Sequence, residues 1–479
     1  MPRLPFPLPT KASEQPALIA DTEIWSYSRY AEEVGRYAAA LKQLGVEPGD
    51  RLGLRFPNCI EYALLLMAGI ATGAILVPLS TRFPQQQLAS LLQPIGCRLL
   101  ITDEDTAGSH LSDQLTIYSL HQIKVLAAGQ KPLALPETIP ETRPATIVFT
   151  SGSSGPPRGA LLTYGNHYYS ALGSNSNIQF QAGDRWLVSL PFYHVGGLAI
   201  LFRALLGGGA VVVPSNPKDT LSVIHRFRVT HLSLVATQLY RLLQREKIGP
   251  AFQSVKAVLL GGSAVPGDLL EKGYEMRLPL HTSYGLTEMA SQVTATPPAA
   301  SLNMLRSSGK LLPHRELKID SSGEIWVRGK TRFAGYVRHS GLSRPFTREG
   351  WFATGDLGKL DEQGFLHVIG RKDNMFISGG ENIVPEEIEQ VIQQIEEISR
   401  AVVVPVEDKE FGYRPVAFIE TRDQRKISPE RLTAFLKKRL PGFKIPVAYF
   451  PLPDALTPSG LKVHRPALRE LARKLYPKT

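Results

Sequence analysis

Apolar residues recur three or four apart over 26–44, where Tyr30, Val34, Tyr37, Ala38 and Leu41 share one face of a helix. Gly45 stops that helix, because glycine adopts the left-handed backbone of a helix end at little steric cost. Pro48-Gly49-Asp50 forms a turn, and 51–56 reads as a strand. A helix over 58–70, a strand over 74–77, a helix over 86–92 that stops before Pro94 and a strand over 98–102 continue the alternation. Helices alternating with short apolar strands predict an α/β layer on a largely parallel sheet.

The pattern then leads into one stretch of different character. The β-branched run 145–149 reads as a buried strand, and Thr150-Ser-Gly-Ser-Ser-Gly-Pro-Pro-Arg-Gly159 follows it as a loop. Backbone N–H groups, hydroxyls and close-approaching glycines can wrap an anion, and Arg158 adds a full charge. It is not the phosphate loop that ends in Gly-Lys-Ser/Thr and opens a helix. Beyond it, helices are expected over 166–174, 196–206 and 221–226. Strands are expected over 185–190, 210–213, 232–235 and 257–260. Ligands gather at the carboxyl ends of strands in such sheets. Here those ends carry 150–159, His194, Gly261-Gly262-Ser263 and Ser283-Tyr-Gly-Leu-Thr-Glu288.

From Glu316 the texture changes to short alternating strands, which suggests a β-rich subdomain over about 316–372. After Gly370-Arg-Lys-Asp373 comes a compact α+β pattern: helix 385–395, strands 400–404 and 415–420, helix 429–439. The reading is α/β, with a large N-terminal domain over 1–372 of layered sheets and a small C-terminal α+β domain over 373–479, hinged near Asp373.

Composition narrows the classes. Lysine and arginine outnumber aspartate and glutamate 54 to 43, a net charge of +11 that suits anionic partners such as nucleotides and coenzymes. No run of five basic residues supports a nucleic-acid-binding arm. Cys59 and Cys97 form no CxxC or Cys/His cluster, so structural zinc has no basis and a cytosolic setting is expected. The first residues carry too many prolines for a signal segment. The apolar run 63–79 is broken by Gly69, Gly73 and Pro78, and reads as helix, turn and strand rather than a membrane span.

These motifs, in this order, resemble those of the acyl-adenylate-forming superfamily: acyl-CoA ligases, luciferases and adenylation domains of peptide synthetases. The resemblance covers nearly the whole chain. It implies that Thr150, Ser151, Gly152, Ser153, Ser154, Gly155 and Arg158 hold the ATP phosphates, that Thr287 reaches the α-phosphate and that Glu288 holds Mg2+. Tyr284 and Gly285, with Gly261, Gly262 and Ser263, would surround adenine; Asp356 and Arg371, from Thr354-Gly-Asp356 and Gly370-Arg-Lys-Asp373, would hold the ribose. Lys462 is implied as the mobile catalytic lysine, with Lys444 as a competing candidate. Asp373 is implied as the hinge, Ser378, Gly379, Gly380 and Glu381 as the face for coenzyme A, and His194 as the residue at the thiol entrance. Two departures stand out: Arg158 where the family usually has lysine, and Leu461 between Gly460 and Lys462.

Residues 163–167, 283–292, 404–416 and 460–468 further resemble the o-succinylbenzoate–CoA ligases of that superfamily, which serve menaquinone and phylloquinone biosynthesis. Their substrate keeps one carboxylate anionic while the other is activated. The resemblance implies that Arg203 meets that carboxylate, with Ser291 and Gln292 as further polar contacts. The implied partners are a small carboxylic acid, ATP and coenzyme A, with neither nucleic acid nor stable membrane insertion; self-association stays open. Three other readings stay open too: a ligase for another aryl or fatty acid, a non-catalytic nucleotide-binding relative, and a nucleic-acid or membrane-surface binder using the net charge.

Overall fold

The computed structural model of the chain describes residues 2–8, 13–21, 23–83, 85–103, 115–150, 157–214, 220–245, 248–422, 427–453 and 464–476. By packing, the chain divides into two units. The first holds 1–263, 273–317 and 327–352; the second holds 264–272, 318–326 and 353–479. This division assigns much of the β-rich stretch to the second unit, whereas the sequence reading places it with the first. The hinge at Asp373 is a separate matter.

Two sheets build the first unit. One runs Gly341–Ser343, Gly335–Arg338, Arg158–Thr163, Pro144–Thr150, Ile75–Pro78, Arg51–Arg55, Leu99–Thr102 and Thr116–Ser119, in that spatial order. From Pro144–Thr150 to Thr116–Ser119 all neighbours are parallel. At the other end the chain doubles back in antiparallel pairs. The polar start Arg158-Gly159, read as loop, is therefore the first part of a strand: Arg158 pairs with Thr150 and Gly159 with Phe149. The second sheet contains a parallel run of Leu280–Leu286, Ala257–Leu260, His231–Leu234, Arg185–Leu187, Ala210–Val212 and Pro16–Ile19. Ser291–Ala295 folds back antiparallel against Leu280–Leu286.

The apolar run 63–79 takes the expected form. Helix Ile60–Thr72 is buried on every side over Tyr62–Ile70, ends at Gly73 with φ of 88°, and gives way to strand Ile75–Pro78. Helix Tyr164–Ile178 is longer than the apolar spacing suggested, because Thr163 and Asn166 cap it reciprocally. Each side chain accepts the other's backbone N–H, at 3.2 and 2.8 Å. Its buried face presents His167, Ser170 and Ser174. Helix Val195–Leu206 is capped at His194 and carries Arg203 on its buried face. Among the described residues no helix is long and apolar enough to cross a membrane.

In the second unit, strands Ile398–Asp408, Gly412–Thr421 and Ala448–Pro451 make one sheet. Its alternation is that of a strand covered on both faces. Ala401, Val403 and Ala417 pack with Ile388, Ile392, Leu432 and Leu436, from helices Pro385–Ile392 and Pro429–Lys437. Val402, Val404, Val416 and Phe418 pack with Leu468 and Ala472 of helix Arg465–Leu475, which sequence reasoning missed.

Candidate active site

The loop positions Ser151, Gly152, Ser153, Ser154 and Gly155, and Lys462, lie outside the described residues. Thr150 and Arg158 face each other across the hairpin, and the Thr150 hydroxyl donates to the Arg158 carbonyl at 3.4 Å. The next strand brings Tyr336 beside them, since Ala160 pairs with Tyr336. The Arg158 guanidinium stacks over the Tyr336 ring at 4.3 Å, a geometry that its flat, delocalised charge suits better than a lysine ammonium does. The Tyr336 hydroxyl donates to Glu288 Oε1 at 2.6 Å, and the Glu288 carbonyl accepts the Phe333 N–H at 2.8 Å. The structure thus gathers Thr150, Arg158 and Glu288 around a tyrosine that the sequence reading did not single out.

Glu288 is buried, and among the described residues no Lys or Arg reaches its carboxylate within 4.0 Å. No group of three His, Cys, Asp or Glu side chains that could cage a metal is found among the described residues. A buried carboxylate with Oε1 held by Tyr336 and no Lys or Arg beside it among the described residues fits Mg2+, which takes one or two carboxylates and completes its shell with water and phosphate oxygens.

Strand ends set the remaining groups of this unit. Leu260 pairs with Thr282, so Gly261–Ser263 emerges beside Ser283 and Tyr284; the Ser283 hydroxyl donates to the Leu260 carbonyl at 2.8 Å. Tyr284 is buried on its strand. Gly285 has no alternative, because a Cβ there would lie 2.2 Å from the Ser291 carbonyl oxygen. That contact allows the tight reversal that carries Thr287 and Glu288 on a short 3-10 turn.

The acyl candidates also come together. Arg203 is 1% exposed, and its Nη2 donates to Ser291 Oγ at 3.0 Å. Its guanidinium carbon lies 5.3 Å from the Trp186 ring, and its Nε has no partner. Ser174 donates to Gln292 Oε1 at 2.7 Å, and Gln292 Nε2 is buried without a partner. Burial pushes the Arg203 guanidinium down to about 9. His194 begins the same helix, with the Tyr193 ring 4.7 Å from its own. The sequence reading missed Arg315, which is 5% exposed and lies on this group's far side, donating to the Gln292 carbonyl. No spacing signal could have found it, since it is 112 residues from Arg203 along the chain.

In the second unit, Asp356 and Arg371 sit opposite one another on paired strands. Arg371 Nη1 reaches Asp356 Oδ1 at 2.9 Å and Nη2 reaches Asp373 Oδ2 at 3.2 Å. Burial works against the Arg371 charge, and the Asp356 and Asp373 carboxylates outweigh it, holding the guanidinium above its ordinary range. Ser378 and Glu381 pair across a two-residue turn in which Gly379 and Gly380 have φ of 58° and 86°. The Ser378 hydroxyl is buried without a partner. Lys444 is held in an ion pair with Glu387. Three residues beyond Lys462, Arg465 grips Glu389 through both nitrogens, at 2.7 and 2.9 Å.

Comparison with known proteins agrees with this constellation. The AMP-binding enzyme family matches residues 9–337, and the AMP-binding enzyme C-terminal domain matches residues 387–460. The chain belongs to the AMP-binding enzyme family. Within it, the chain is 35% identical to the 2-succinylbenzoate–CoA ligase of Geobacillus kaustophilus, over 95% of this chain and 94% of that one. It is 32% identical to the 2-succinylbenzoate–CoA ligase of Bacillus subtilis, over 96% of each. Two solved structures are similar. The o-succinylbenzoate CoA synthetase of Bacillus subtilis in complex with the acyl-adenylate intermediate superposes with a TM-score of 0.88, at 32% identity, covering 98% of this chain and 99% of that one. The same enzyme in complex with ATP and magnesium ion gives 0.84, at 32% identity, covering 94% and 96%.

Proposed function

We propose that the chain is an AMP-forming acid–thiol ligase that converts 2-succinylbenzoate to 2-succinylbenzoyl-CoA. In the first step the aliphatic carboxylate attacks the α-phosphorus of ATP; the bond to the β-phosphate oxygen breaks and pyrophosphate leaves. In the second, the thiol of coenzyme A attacks the acyl carbon, and AMP and a proton leave. Such chemistry needs alignment and charge neutralisation rather than a protein nucleophile.

The proposed roles follow. Thr150, the loop 151–155 and Arg158 hold phosphates, Thr287 the α-phosphate, and Glu288 binds Mg2+. That ion supplies neutralisation of the phosphate charge. Tyr284, Gly285 and Gly261–Ser263 border adenine; Asp356 and Arg371 hold the ribose. Lys462 neutralises the reacting carboxylate and α-phosphate, and Asp373 is the hinge between 1–372 and 373–479. Ser378, Gly379, Gly380 and Glu381 receive the pantetheine arm, with His194 at the thiol entrance. Arg203, Ser291 and Gln292 receive the ring carboxylate. The proposed setting is the cytosol.

The observation that carries the choice of acid is Arg203: a guanidinium 1% exposed, with one serine hydroxyl as its hydrogen-bond partner and no carboxylate within 4.0 Å among the described residues. A pocket for an apolar chain has no use for a buried unpaired cation. ATP–pyrophosphate exchange tests the reading. Exchange with 2-succinylbenzoate is expected; exchange with cinnamate or long-chain acids alone points to another acyl ligase, and none with any acid to a non-catalytic relative. Arg203→Ala should raise KM for the acid by about tenfold or more, the scale of a lost charged hydrogen bond, and leave KM for ATP near wild type. An unchanged acid KM removes Arg203 from the pocket.

A further inference from the structure

Two guanidiniums are buried in this part of the first unit, Arg203 at 1% exposure and Arg315 at 5%. Neither has a carboxylate within 4.0 Å among the described residues. Burying one unpaired cation is costly, and burying two together is more so. The two are held differently. Arg315 is locked through neutral acceptors: Nε to the Gln292 carbonyl at 2.5 Å, Nη1 to the Pro313 carbonyl at 2.6 Å, Nη2 to the Ser170 carbonyl at 3.1 Å and hydroxyl at 3.3 Å. The helix beside it makes room at Gly173, where a Cβ would lie 2.3 Å from Arg315 Nη1. Arg203 spends one donor on Ser291 and leaves Nε without a partner. Burial pushes Arg315 down to about 9, and the Arg203 charge adds to that shift.

We infer that Arg315 is a positioning residue for the acid's second carboxylate: it fixes the strand bearing Ser291 and Gln292, and it supplies a second buried positive charge behind Arg203. The inference rests on the proposed function and goes one residue deeper. Arg315 spends four of its five N–H donors on these protein acceptors, so it is assigned no contact with the ligand. Arg203 and the unpartnered Gln292 amide remain to make that contact. The missing counter-charge is the ligand's, so the site discriminates a diacid from a monoacid. A chain with Arg203 alone would bind the ring carboxylate less tightly.

The test compares exchange with 2-succinylbenzoate and with 4-oxo-4-phenylbutanoate, which lacks the ring carboxylate. In wild type the diacid should have the higher kcat/KM. Arg315→Met should lower kcat/KM for the diacid by about tenfold or more while that for the monoacid stays within about twofold. Arg315→Lys keeps the charge without the fork and should retain most of the preference. Equal losses for the two acids would reduce Arg315 to a packing residue, and a full preference in Arg315→Met would remove it altogether. Should neither variant fold, Gly173→Ala, whose Cβ would lie 2.3 Å from Arg315 Nη1, takes their place: a lost diacid preference supports the role, and a full preference overturns it. Wild type that exchanges with no diacid sinks the proposed function itself and this inference with it, an outcome distinct from a wild type that works and variants that keep their selectivity.

Discussion

Tyr336 ties the hairpin proposed to hold phosphates to the carboxylate proposed to bind Mg2+, since its ring lies under Arg158 and its hydroxyl holds Glu288. The arginine that departs from the family's lysine has a physical partner here. Tyr336→Phe keeps the ring and deletes the hydroxyl, so Glu288 loses its orientation while Arg158 keeps its stacking. The half-saturating Mg2+ concentration for pyrophosphate exchange should rise by about threefold to tenfold, with the acid KM unchanged; a flat Mg2+ titration contradicts the role. His167 gives a second prediction at this scale. It is fully buried, stacked on Phe202 at 4.5 Å, with Nε2 on the Thr146 hydroxyl at 2.8 Å. Burial pushes it down from 6.5 to about 3. The unfolded chain therefore takes up a proton below pH 6.5 that the folded chain refuses until about pH 3. Stability falls as pH falls through that window, by about 2 kcal/mol between pH 6.5 and 5. Urea midpoints should show this slope in wild type and a shallower one in His167→Gln.

At the scale of elements, period-two and period-3.6 patterns made the buried strands and helices readable, because one face of each packs against a neighbour. They failed where the face is not the deciding feature. Arg158-Gly159 looked like loop because its residues are polar and flexible, yet pairing with Phe149 and Thr150 makes it strand. Helix Tyr164–Ile178 outran its apolar spacing because its buried face is partly polar, with His167, Ser170 and Ser174 turned inward. Arg315 and Tyr336 were beyond reach for a different reason: each acts on residues far along the chain, Tyr336 through its strand's pairing with Arg158–Thr163 and Arg315 through side-chain bonds to elements outside its own sheet. In the small α+β unit, Arg465 at the start of helix Arg465–Leu475 grips Glu389 of helix Pro385–Ile392, and Glu389 also accepts the Val403 N–H at 2.7 Å. Glu389→Ala removes the two-pronged partner of Arg465, which keeps Glu386 at 3.4 Å and the Val403 carbonyl, and should cost about 1–3 kcal/mol. An early unfolding transition by circular dichroism is the expected result, and an unchanged profile counts against the anchor.

At the scale of the whole molecule, the net charge of +11 suits a chain whose proposed ligands are all anions: a triphosphate, a diacid and a phosphorylated coenzyme. The sequence motifs made the ATP chemistry readable, because glycine, hydroxyl and carboxylate at strand ends are required by what they bind. The acid's identity was readable only as far as Arg203, and its burial without a carboxylate among the described residues is what gives that residue weight. The most direct test of the account is to supply 2-succinylbenzoate, ATP, Mg2+ and coenzyme A to the purified chain and count products by mass spectrometry. One 2-succinylbenzoyl thioester, one AMP and one pyrophosphate per turnover is the predicted result. ADP and phosphate in their place, or no thioester from this acid while another acid is converted, would contradict it.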